Sequence, residues 1–284
     1  MNDLRKYLST CLLATAALAG GASPAWAAQV PQLGAASFAV LSAALEGAGE
    51  VACTDSTITG DVGSSGLPAS VVQTNCTITG TISAPVLDQV LDDFDGAYRA
   101  LAAVQCDYFL SGNLGGVTLN QPGVYCVAAA STTTNGTLRL VGSSNDTWIF
   151  KIGTSGTGAL TGTNFSVVMA GGGLACNVYW WVAEAATMTT SNFKGTILAG
   201  AAITMTGGTF AGRALANAAV TLTGVTAIGC GGRTFDPPRQ RCNQGVGNGF
   251  EGCDPGNSNQ GVPFRSNDEL GGVPGKPGRK GGNR

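Results

Sequence analysis

Histidine is absent from the sequence, and only 11% of its residues are charged. Without an imidazole there is no histidine-based triad, no imidazole general base and no histidine metal ligand. The G-x-S-x-G elbow of α/β-hydrolases is missing, as are a Walker A loop and a G-x-G-x-x-G turn following a strand. No close C-x₂₋₄-C pairs occur, which excludes the common zinc knuckles. The segment 29–230 carries eleven acidic and five basic residues, so it lacks the clustered basic face of a nucleic-acid binder. No apolar run reaches the roughly 20 residues that span a bilayer.

What is present begins with an export signal. Arg5 and Lys6 form a positive region, Tyr7 to Ala19 is mostly apolar, and Ala25-Trp26-Ala27 fits a small-x-small cleavage site. Residues 1–27 therefore read as a secretory signal peptide, and the protein as secreted or extracellular, with the periplasm and cell surface as alternatives. Cys11 lies in that segment. The other cysteines are Cys53, Cys76, Cys106, Cys126, Cys176, Cys230, Cys242 and Cys253. An even number in an exported chain implies disulfides. Nearest-neighbour pairing would close local loops, Cys53 with Cys76, Cys106 with Cys126, Cys176 with Cys230 and Cys242 with Cys253. Eight cysteines allow about 105 connectivities, so the sequence alone does not choose among them.

Composition divides the mature chain into 28–230, one solenoid-like domain, and a tail, 231–284. The tail holds fourteen Gly, six Pro, eight bases and five acids in 54 residues, too few large apolar groups to bury a core. It reads as mostly disordered. "DPGNSNQG" (254–261) lacks EF-hand spacing, so no metal or cofactor is expected there or elsewhere.

Within 28–230 one helix is legible. Val86, Val90, Phe94, Ala97 and Leu101 recur at helical steps over roughly 85–104, with Pro85 suited to a first turn. Asp88, Asp92 and Asp93 suit its N-terminal half and read as a solvated face rather than a catalytic pair. Glu184 beside "NVYWWV" (177–182) is the least implausible sugar cradle, but a buried tryptophan and a carboxylate at a coil corner is the simpler reading. No groove of converging carboxylates is apparent, so the chain is not read as an enzyme.

The remainder is short β-type segments punctuated by Gly, Asn and Ser. "STITGDVG" (56–63) and "CTITGTI" (76–82) are imperfect copies, with Ile58 and Ile78 on one side and threonines on the other. "TMTTSN" (187–192), "TMTGGT" (204–209) and "TLTGVT" (221–226) follow one another at seventeen residues, a period that suits one coil of a β-solenoid. Met188, Met205 and Leu222 would stack inside. Thr187, Thr204 and Thr221 would stand outside in one row, Thr189, Thr206 and Thr223 in another. "ALTGTNF" (159–165) matches "TMTTSNF" at an offset of 28. Threonine suits any exposed strand, but the shared register with almost no charge nearby is unusual, because exposed sheet faces normally carry Lys and Glu.

At this point the sequence can be placed. It resembles the secreted ice-binding (antifreeze) proteins of the DUF3494 family of bacteria, fungi and algae. The segments that carry the resemblance run from 32 to 230: "LGAASFAVL" (33–41), "ITGDVG" (58–63), "LGGVTLNQPGVY" (114–125), "WIFKIG" (148–153), "CNVYWWV" (176–182), "FKGTILA" (193–199) and "GRALANAAVTL" (212–222). The resemblance implies a mainly β fold, an irregular right-handed β-solenoid of triangular section with one long α-helix (about 85–104) along its side. It also implies T-[AG]-x-[TN] steps on an ice-binding face. Such steps would be Thr161-Gly-Thr-Asn164, Thr206-Gly-Gly-Thr209 and Thr223-Gly-Val-Thr226, with Thr189-Thr-Ser-Asn192 departing at its second position. The columns would be Thr161/Thr189/Thr206/Thr223 and Asn164/Asn192/Thr209/Thr226. Residues three apart on an ideal strand face opposite sides, so the motif demands a bend. Whether the functional row is T-x-T or T-G-x-[TN] stays open at this level. The expected partner is an ice surface met by a monomer without nucleic acid or membrane span. The alternative is a cell-surface structural or adhesive protein that uses the same scaffold without ice affinity, its tail meeting envelope or matrix polymers.

Overall fold

The computed structural model describes residues 37–230. The signal segment, the tail, and with it Cys242 and Cys253, lie outside the described residues.

Short strands wind into coils with three faces, and every strand pairing is parallel. Two coils come first: Phe38–Ser42, Val51–Thr54 and Thr57–Thr59, then Asp61–Ser64, Val71–Thr74 and Thr77–Ile78. After Ile82–Ser83 the chain enters α1 (Asp88–Ala103), the one α-helix among the described residues, which leads to the later coils. Winding resumes through Gly123–Val127, Ser131–Thr134 and Thr137–Val141, then Trp148–Ile152, Leu160–Thr163 and Ser166–Ala170. Val178–Val182, Ala186–Ala199 and Ile203–Ala216 follow, and Val220–Thr223 with Thr226–Ile228 close the last coil. That last coil stacks on the first: Val220–Thr223 pairs with Val51–Thr54, and Thr226–Ile228 with Thr57–Thr59. The N-terminal coils thus sit beyond the C-terminal one, a circularly displaced stack that no sequence period announces.

The interior is a column of apolar side chains. Trp180 is fully buried, stacks on Phe150 at 4.1 Å between ring centroids, and lies 4.9 Å from Phe193. Its indole N–H donates to the Lys194 carbonyl oxygen at 2.9 Å. Met188, Met205 and Leu222 lie in register inside the threonine-bearing strands, as the repeat requires.

One face is buried on both sides. Its strands read FAVLS, WIFKI and VYWWV, the unbroken apolar runs expected where a parallel sheet is covered twice. Helix α1 provides the outer cover, setting Phe94, Ala97 and Leu101 against a cluster that includes Leu41, Trp181, Leu198 and Leu215. The Tyr98 hydroxyl donates to the Val182 carbonyl oxygen at 3.1 Å. Lys151 is buried here, and its ammonium donates to the Ala102 and Val104 carbonyl oxygens at 2.7 and 2.6 Å, where the helix leaves acceptors free. Burial pushes its pKa below that of a free lysine. The helix starts later than the expected residue 85, because the Val86 N–H is still bonded to the Ser64 carbonyl oxygen and holds the chain against the sheet.

Disulfides join Cys53 to Cys76, Cys106 to Cys126 and Cys176 to Cys230. The first ties the two N-terminal coils together, the second fastens Gly123–Val127 to the segment leading out of the helix, and the third clips the end of the last coil to the loop before Val178. Each removes freedom from the unfolded chain, most for the 54-residue separation of the third.

Candidate functional site

Of the other two faces, one carries the threonine strands. Seven segments lie side by side in the order 71–74, 51–54, 220–223, 203–206, 186–189, 160–163 and 131–134. Alternate residues point in. In 203–206, for example, Ile203 and Met205 are buried while Thr204 is half-buried and Thr206 exposed. The outward residues form two rows. The first is Val72, Ala52, Thr221, Thr204, Thr187, Thr161 and Thr132; the second is Thr74, Thr54, Thr223, Thr206, Thr189, Thr163 and Thr134. The second row is threonine in all seven positions, so at about 4.8 Å per strand it runs roughly 29 Å. Neither row contains a charged residue. Beyond the first row, five coils place alanine two residues earlier, at Ala130, Ala159, Ala185, Ala202 and Ala219, which keeps that margin low, while the coil of Ala52 places exposed Glu50 there.

The bend demanded by the four-residue motif lies directly after the second row. Asn75, Asp55, Gly224, Gly207, Thr190, Asn164 and Asn135 occupy this corner, one per coil, and all seven have left-handed backbone, with φ from 47° to 66°. Asparagine, aspartate and glycine are the residues that tolerate this region. Side chains bridge some of them: Asn75 Nδ2 donates to Asp55 Oδ1, and Asn164 Nδ2 to Asn135 Oδ1, each at 2.7 Å. The next residue turns inward, as with the buried Val225, Ser191 and Phe165. The one after faces out again on the third face. That third row is Thr77, Thr57, Thr226, Thr209, Asn192, Ser166 and Thr137. The T-x-T and T-G-x-[TN] patterns are therefore not rivals. One lies along the face and the other crosses its corner.

The register corrects two of the sequence expectations. Thr161 pairs with Thr187, not Thr189, and so belongs to the first row; its partner in the second row is Thr163. Asn164 is a corner residue, aligned with Thr190 rather than with Asn192. The cause is a spurious match of Phe165 to Phe193; the true offset between these coils is 26 residues, since Ser166 pairs with Asn192. Thr187, Thr204 and Thr221, then Thr189, Thr206 and Thr223, then Asn192, Thr209 and Thr226 each fall together in single rows. Sequence reasoning missed Thr54, Thr74, Thr132, Thr134 and Thr163. The signal was there: "TDST" (54–57), "TNCT" (74–77) and "TNGT" (134–137) are the same corner step with Asp or Asn where glycine was sought.

The other candidate chemistry does not converge. Trp180 is sealed inside and Trp181 packs on Tyr98 at 5.4 Å, whereas Glu184 is exposed at a coil corner. Among the described residues no three His, Cys, Asp or Glu side chains gather to hold a metal ion, and no helix is long and apolar enough to cross a membrane.

Comparison with known proteins gives a consistent result. The profile of the family described as "Ice-binding-like" matches residues 42–227. An ice-binding protein of Flavobacterium frigoris (strain PS1) is 34% identical over 192 residues, covering 60% of this chain and 64% of the relative, so the chain spans somewhat under two thirds of that protein. Ice-binding protein K1-A of Typhula ishikariensis is 32% identical, over 69% of this chain and 88% of the relative. Among solved structures, the ice-binding protein of the Antarctic ascomycete Antarctomyces psychrotrophicus superposes with a TM-score of 0.60 at 30% identity, covering 70% of this chain and 98% of that one.

Proposed function

The chain belongs to the ice-binding-like family, and from that premise we propose that it is a secreted ice-binding protein that adsorbs to ice through the threonine face and inhibits ice growth or recrystallisation. The observation that carries the reading is the second row, seven threonines in unbroken register without a charge. Methyl groups in such a grid order the water between them, and hydroxyls anchor that water by hydrogen bonds. Each side chain contributes little, so the array acts only if it is already in place when it meets the lattice. The parallel ladders, the packed aromatic column and three disulfides supply that preorganisation.

On this reading the contact residues are Thr161, Thr187, Thr204 and Thr221, then Thr189, Thr206 and Thr223, with Asn192, Thr209 and Thr226 across the corner; Thr132, Thr134, Thr163, Thr54 and Thr74 complete the rows. Asn164 acts by fixing the corner. The protein binds rather than catalyses, and it works as a monomer. Residues 1–27 are removed on export, 28–230 form the binding domain, and 231–284 are an appended tail; the disulfides and the extent of the family match support that division. Replacing Thr206 by Tyr places a bulky ring in the middle of the grid. The expected outcome is a strong fall in ice shaping and recrystallisation inhibition with unchanged circular dichroism. Full activity after Thr206→Tyr and Thr189→Tyr together would show that another surface meets the ice.

A further inference from the structure

We propose that the ice-contact surface turns the corner and continues as a second plane on the third face, built from the two T-I-T segments at 57–59 and 77–79; this rests on the ice-binding reading above. Thr57, Thr59, Thr77 and Thr79 are all exposed, while Ile58 is sealed inside and Ile78 packs against the core. Thr57 pairs with Thr77, and the same two rows continue through Thr226 and Thr209 and through Ile228 and Ala211. None of these eight residues is charged. The next coil places Lys194 beside Ala211, and Arg139 stands two coils further on, so the uncharged patch covers four coils at one end of the stack. At that same end the first row of the threonine face runs out into Ala52 and Val72. The second T-x-T array therefore begins where the first loses half its threonines.

The two planes are continuous through Thr54 and Thr74. The carboxylates bordering the patch are engaged within the surface: Asp55 Oδ1 accepts from Asn75 Nδ2, and Asp61 Oδ1 accepts from the Thr81 N–H, each at 2.7 Å. Spacing across and along the strands is that of any parallel sheet, so both planes offer hydroxyls and methyls on similar grids. The corner itself holds an exposed β-branched residue, Thr190, at φ 47°, a conformation its side chain disfavours and its neighbours meet with Asn or Gly. Backbone strain retained at an exposed position points to a use for that side chain, here as a methyl and hydroxyl at the corner of the threonine face, one coil outside the uncharged patch. Two flat grids at a fixed angle let one molecule engage two different crystal planes.

The test is to coat a single-crystal ice hemisphere with fluorescently labelled protein and read which planes light up. Thr59→Tyr with Thr79→Tyr leaves the threonine face untouched, and it should lose one set of planes while keeping the set that Thr206→Tyr loses. Thr59→Ser with Thr79→Ser, which removes only two exposed methyls, should weaken the same set of planes and covers the case in which the tyrosine pair fails to fold. If the serine pair coats every plane as wild type does, or if the folded tyrosine pair does so while Thr206→Tyr coats none, ice is met by the threonine face alone and the second plane is wrong. If Thr206→Tyr and the tyrosine pair both coat as wild type does, the threonine-face reading itself fails.

Discussion

On the helix face, the outward side chains of Val178–Val182 are Tyr179 and Trp181, and both are buried, Trp181 against α1. On the threonine face, the outward side chains of 203–206 are Thr204 and Thr206, and among the described residues no element covers them. Both faces belong to the same coils, share one interior and are held by the same parallel ladders. The backbone therefore does not decide which face meets water; the outward residue does. Large apolar groups recruit a helix, whereas threonine with no charge leaves a hydrated grid whose rigidity comes from the layers behind it. The comparison predicts a separation: substitutions on or behind the helix face change stability, and substitutions on the threonine face change activity.

The largest effect is expected in the shared interior. Trp180→Ala would leave a cavity beneath Phe150 and Phe193 and orphan the Lys194 carbonyl oxygen. A loss of about 3–5 kcal/mol in denaturant unfolding is expected. A loss below about 1 kcal/mol would mean that the aromatic column does not support the faces. Next comes Lys151→Met on the helix face. It keeps most of the apolar stem but strips the hydrogen bonds from Ala102 and Val104. Because the buried ammonium also carries a desolvation penalty, the net loss is expected near 2 kcal/mol. Recrystallisation inhibition per folded molecule should be unchanged in both variants, and a selective loss of activity in either would break the comparison.

Much of this could be read from residues alone, and the exceptions share a cause. Met188, Met205 and Leu222 gave away the seventeen-residue coils because nothing interrupts the chain between them. Helix α1 was legible from Phe94, Ala97 and Leu101, which repeat at helical steps. The coil containing Thr161 was misregistered because its longer loops destroy the period, leaving two phenylalanines as a false guide. The displaced stacking of Val51–Thr54 on Val220–Thr223 was invisible, since it is a contact between chain ends with no local signature. The corner hid for a chemical reason: Gly, Asn, Asp and Thr look unrelated as letters, yet all fill one left-handed position.

Thr190 sharpens that last point with a smaller effect. Thr190→Asn keeps the position polar and exposed while replacing the side chain least suited to its φ. A gain of about 1 kcal/mol in unfolding free energy is expected. Ice activity should fall at the same time, because a methyl at the corner of the threonine face is gone. A gain in stability without any fall in activity would make the residue's strain a matter of packing alone.

The smallest expected effect is none, and it separates the faces by pH. The first and third rows and the fully threonine second row contain no ionisable side chain, and the chain has no histidine. Between about pH 5 and 9 neither ordinary carboxylates nor tyrosines change charge, so activity per folded molecule should stay flat there. The helix side and interior behave differently at higher pH. Burial raises the pKa values of Tyr98, Tyr125 and Tyr179 above 10.0, so each contributes stability that is present below the unfolded value and is lost as pH climbs through the raised one. Lys151, lowered by burial, acts in the opposite sense: its contribution is present above 10.5 and lost as pH falls through its folded pKa. Ionising these buried tyrosines should lower the melting temperature in strong alkali while the remaining folded protein binds ice undiminished. A pH-dependent loss of recrystallisation inhibition between pH 5 and 9, with circular dichroism constant, would place a titrating group in the contact surface.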